Sequence, residues 1–148
     1  MKFKILHGAE SASGTRTYKT IATATTLEDG VAILIALAAP RMGTKDSLTL
    51  VMRDKSSPSG VGVGGISCDM TGLKNDRASI LAYAKQAIAK NKAHVAVVNA
   101  RRAWLASHGT RSADYYQLLT RDQAFATAVG KNDFAAAELR AKELGIAA

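Results

Sequence analysis

A chain of 148 residues has the usual size of one domain, and it is long enough to bury a substantial core. Its composition, 47% hydrophobic and 22% charged, excludes a disordered or collagen-like protein, and a single cysteine, Cys68, excludes an internal disulfide framework or a CxxC metal site. The net charge of +8 and the sequence pI near 9.8 point to an anionic partner, with nucleic acid the commonest and an anionic membrane surface the second.

The N-terminal stretch MKFKILHGAE is too briefly apolar for a secretory signal. Lys2 to His7 alternates, with Phe3 and Ile5 on one face and Lys2 and Lys4 on the other, which is the period of a half-buried strand. Gly8 to Gly14 reads as a polar loop. Thr15 to Thr25 is threonine-rich and β-favouring with no strongly apolar face, as suits an edge strand. Thr25-Thr26-Leu27-Glu28 then resembles a capping box, with acids at 28 and 29 suited to the positive end of a helix. This predicts a buried helix over Leu27 to Ala39, stopped by Pro40, although the β-branched Val31, Ile33 and Ile35 would also fit a buried strand. The apolar run Val31 to Pro40 is about half of what a membrane-spanning helix needs, so no membrane is expected as partner.

Ser47 to Asp54 predicts a strand with Leu48, Leu50 and Met52 on one face and Thr49 and Arg53 on the other. Lys55 to Gly60 is turn chemistry, and Val61 to Cys68 returns as a glycine-rich strand with a bulge expected at Gly64-Gly65. No Gly or Pro interrupts Leu73 to His108. That segment reads as one long helix capped by Asn75 or Asp76 and ended by Gly109, unless a break near Asn91 turns Val95 to Val98 into a strand. Ser112 to Val129 is expected to be a second helix. A third starts at Asn132 or Asp133 and closes at Gly145, with Ile146 packing back. The expected fold is α+β in a single domain, 1–148: an antiparallel sheet of about four strands with one inserted helix (ββαββ) over 1–72, then three helices over 73–148, the first long and basic.

Between Arg77 and Ala113 the chain carries Arg77, Lys85, Lys90, Lys92, Arg101, Arg102 and Arg111 and no acid, so one quarter of the length holds almost the whole net charge. Wound at about 100° per residue, the helix places Ile80, Leu81, Ala84, Ala87, Ile88, Val95, Val98 and Leu105 on a core face. A second stripe of Ala82, Ala89, Ala93, Ala96, Ala100 and Ala103 lies opposite. Alanine there lets another helix approach closely, from this chain or from a second copy; it is also simply the best helix former on a solvent face. The residues expected to meet nucleic acid are Lys85, Lys90, Lys92, Arg101, Arg102 and Arg111, together with Lys2, Lys4, Arg16, Tyr18 and Arg53 on the sheet. The six alanines of the second stripe form the expected oligomer interface.

Catalytic and cofactor patterns find no support. Gly60, Gly62 and Gly65 match GxGxxG, but no helix starts at once and no acid lies about twenty residues on, so the dinucleotide mechanism is missing. His7, His94 and His108 are too scattered for zinc, and Cys68 reads as a small core hydrophobe rather than half of a Cys–His dyad. The turn Gly130-Lys131-Asn132 predicts a plain helical hairpin, with Glu138 and Lys142 as a surface pair, rather than a base-reading helix. No cofactor or metal is expected. A sheet followed by helices is similar in outline to small RNA-phage coat proteins, a likeness of architecture that no motif carries. The resulting expectation is a non-enzymatic, self-assembling structural protein that contacts nucleic acid, such as a viral or phage coat or packaging protein, in a virion or the cytoplasm. Two alternatives are a small DNA- or RNA-binding regulator, and an inhibitor or adaptor that docks its basic helix on an acidic protein surface.

Overall fold

A computed structural model describes residues 1–69, 76–108 and 112–146. The expectations placed on Asn75, Gly109 and Arg111 lie outside the described residues. The chain falls into two compact units, Met1–Asn91 and Lys92–Ala148, and the boundary lies inside the long helix rather than where sheet gives way to helix.

The first unit is built as ββαββ. Strands β1 (Lys2–Glu10), β2 (Arg16–Ala24), β3 (Ser47–Arg53) and β4 (Val61–Ser67) form one antiparallel sheet in the order β2-β1-β3-β4. Alternation decides its two faces: Phe3, Ile5, Leu48, Leu50, Met52 and Ile66 are buried together with Val63. Helix α1 (Leu27–Ala38) lays Val31, Leu34 and Ala38 on that face, so the 27–39 run is a helix and its β-branched residues do not prevail. Its cap is one residue later than the capping box suggests. The Thr26 hydroxyl, not that of Thr25, accepts from the Asp29 N–H at 3.1 Å. Pro40 sits in a short 3-10 turn that ends the helix.

Helix α2 (Arg77–Ala106) is unbroken over 30 residues, so Val95 to Val98 is helical. Asp76 caps it by accepting from the Ser79 N–H at 2.9 Å. Ile80 and Ala84 complete the first core, and Asn91 donates to the buried Ser57 hydroxyl. The β3–β4 ladder slips between Leu50 and Val51, so the extra residue is Val63, a little before the expected Gly64-Gly65. The expected close backbone approach is at Gly65, where a Cβ would stand 2.7 Å from the Leu48 carbonyl oxygen. Cys68 is buried, and burial pushes its thiol above the ordinary value, as fits a core residue.

The second unit corrects the expected helix count. Residues 112–129 form two helices, α3 (Ser112–Arg121) and α4 (Gln123–Gly130), followed by α5 (Phe134–Glu143). Asp122 makes the break: extended at φ −124°, it accepts from the Phe125 N–H at 2.8 Å and from the Arg140 guanidinium at 2.8 Å. The pair expected between Glu138 and Lys142 does not form among the described residues; Arg140 instead bridges Asp122 and Glu143. Helix α5 ends as expected. Gly145 turns at φ +81°, and the Ile146 N–H reaches back to Ala141. The core is aromatic, with Trp104 stacked on Phe134 and Tyr115, and Tyr115 on Phe125.

Arg140 first, and the Phe125 N–H second, hold the Asp122 carboxyl below its ordinary 3.8. A carboxyl depressed in this way stabilises the fold fully above its ordinary value and loses that contribution as pH falls through the lower, folded one. Trp104, the sole tryptophan, reports on this unit. Asp122→Asn should therefore lower the neutral-pH melting temperature read by tryptophan fluorescence and flatten its fall below about pH 4. An unchanged acid profile would assign that fall to other carboxylates.

Candidate nucleic-acid interface

Helix α2 carries Arg77, Lys85, Lys90, Lys92, Arg101 and Arg102 without one acid between Arg77 and Ala106. The ion pairs among the described residues are those of Arg140 with Asp122 and Glu143, and neither involves a side chain of α2. Lys85, Lys90, Lys92 and Arg102 are exposed, so their charge is offset only by solvent and salt. Arg101 is different. It is half-buried and donates to the Gly130 carbonyl at 3.0 Å, while Asn132 donates to the Val97 carbonyl, so both residues dock the α4–α5 turn on α2. This residue belongs to the packing of the second unit as much as to any phosphate contact.

The helix turns its predicted stripe inward: Ile80, Ala84, Ala87 and Ile88 in the first unit, then Val95, Val98 and Leu105 in the second, all buried or half-buried. Ala82, Ala89, Ala93, Ala96, Ala100 and Ala103 are all exposed. The possibility that another helix of this chain covers that stripe is therefore not realised among the described residues.

The outer face of the sheet forms a second basic surface. The register sets Lys2 directly opposite Arg53, Lys4 opposite Val51 and Thr23, Leu6 opposite Thr49 and Thr20, and Gly8 opposite Ser47 and Tyr18. Among the described residues of the first unit no helix packs on this face, because α1 and the first turns of α2 share the buried one. Like charges directly opposite each other destabilise a ladder, and Lys2 and Arg53 are such a pair. The Arg53 side chain relieves part of this by donating to the Pro58 carbonyl at 2.7 Å. Two surface depressions meet at Lys2 and Lys4, one reaching Thr23 and Asp29 and the other Arg53 and Lys55. At the far end of the face Arg16 donates to the Ser47 hydroxyl at 3.1 Å and to the Lys45 carbonyl at 3.2 Å.

All five sheet residues singled out from sequence thus share one face. Sequence reasoning missed Ser47 and Gly8, whose place beside Tyr18 depends on strand register. His7 bonds Asp46 at 2.9 Å rather than Cys68. Among the described residues no group of three or more His, Cys, Asp and Glu could hold a metal, and no helix is long and apolar enough to cross a membrane.

No protein-family model, no curated protein and no solved structure matches the chain.

Proposed function

We propose that this protein is a non-enzymatic, self-associating structural protein that contacts nucleic acid, of the kind that coats or packages a viral or phage genome. The observation that carries the reading is α2 itself: among the described residues its exposed cations form no ion pair and no acid stands among them, and six of its alanines are exposed too. Uncompensated cations meet phosphates and release counterions, which gives affinity without base reading. The alanine stripe lets a second helix approach closely, which gives assembly. The outer sheet face adds four further cations, Lys2, Lys4, Arg16 and Arg53.

Sizing the purified protein before and after nuclease treatment tests this. The reading expects a large species that carries nucleic acid absorbance. A small species that binds nucleic acid would favour a regulator. Salt-resistant binding to an acidic protein, with none to nucleic acid, would favour an adaptor.

A further inference from the structure

We infer that the outer sheet face takes single-stranded nucleic acid, with an unpaired base stacked on Tyr18; this rests on the nucleic-acid reading above and narrows its ligand. Tyr18 stands directly opposite Gly8 on the central strand β1. A Cβ at Gly8 would meet the ring at 2.8 Å and 3.1 Å and the Ser47 hydroxyl at 2.7 Å. The ring thus leans across the one position of the pair that has no side chain, yet the residue remains 59% exposed. A glycine inside a strand normally weakens it, and here it admits an aromatic ring close to the backbone. Propping the ring from below costs little ordering on binding, because its place is already set.

Arg16 completes the platform. It shares the face with Tyr18, two residues away and directly opposite Glu10, and its hydrogen bonds tie the guanidinium to the Ser47 hydroxyl and the Lys45 carbonyl. Its remaining N–H groups are available to a phosphate. Along β1, Lys4 and Lys2 continue the positive charge from about 13 Å away, four residues at the rise of a strand. An exposed aromatic and a tethered guanidinium on one face, with lysines farther along it, is what an unpaired base and its flanking phosphates require. A duplex keeps its bases stacked inside and offers this ring nothing. Charge complementarity selects the occupant: this face holds Lys2, Lys4, Arg16 and Arg53 against one acid, Glu10.

The test uses the full chain with a mixed-sequence oligonucleotide containing 2-aminopurine, as single-stranded RNA, single-stranded DNA and duplex. The expected result is tighter binding of a single strand than of duplex, with 2-aminopurine fluorescence quenched on binding. Tyr18→Ala should weaken single-strand binding about tenfold or more and abolish the quench, while Tyr18→Phe keeps both. A preference for RNA over DNA, or none, decides only which single strand is favoured, and either accords with the inference. Equal binding of single strand and duplex, with Tyr18→Ala binding like the parent, would overturn the stacking site and leave phosphate contact standing. Failure of every form to bind at low salt would overturn the nucleic-acid reading itself. Thermal melting of both variants keeps a folding defect from passing for a lost contact.

Discussion

Replacing Lys85, Lys90, Lys92 and Arg102 together with Gln is expected to flatten the dependence of nucleic-acid affinity on salt. Each phosphate contact contributes a log–log slope of about 0.9 on duplex and about 0.7 on single strands. Four lost contacts lower the slope by roughly 3.6 or 2.8. Between about 50 and 200 mM salt the parent should then lose roughly 50- to 150-fold more affinity than the variant. Arg101 is left out because its bond to the Gly130 carbonyl ties it to the packing of the second unit. Arg101→Gln should instead show in the melting temperature. A slope unchanged by the fourfold substitution would move the phosphate contacts to the sheet.

Ala93→Glu or Ala96→Glu is expected to leave the chain folded and to break its assembly. Both positions are exposed. On an open helix the change costs a few tenths of a kcal/mol, because Glu is itself a good helix former. Against a closely packed second helix it adds a charge and extra volume, and overpacking alone costs about 1–3 kcal/mol. Circular dichroism should therefore match the parent while sizing shows a smaller species. A variant with unchanged melting and unchanged size would place the stripe against water and remove the structural half of the proposal.

Period and capping made much of the fold legible. The alternation of Phe3, Ile5, Leu48, Leu50 and Met52 identified the buried sheet face, and the spacing of Ile80, Ala84, Ile88 and Leu105 identified the inward side of α2. Two kinds of detail stayed hidden. The first is tertiary: Asp122 is a residue type that caps helices, but that it splits 112–129 here also involves Arg140, eighteen residues later, reaching back to its carboxylate. The second is register. Two of the three ladders slip by one residue, at Ile21 on β2 and Val63 on β4, and such slips decide which side chains stand opposite one another. Tyr18 and Arg16 were visible as residues sharing a face. Their convergence with Ser47 over Gly8 was not, since only pairing across three strands creates it.

The absence of carboxylates from α2 gives ionic strength two opposed effects on the same protein. Alone, the protein carries a concentration of like charge that dissolved ions screen, so added salt should raise its melting temperature slightly. Bound to a polyanion, it draws its extra stability from contacts that the same ions displace, so added salt should lower the melting temperature. The two curves converge at high salt, where the polyanion no longer binds and the bound form melts like the free one.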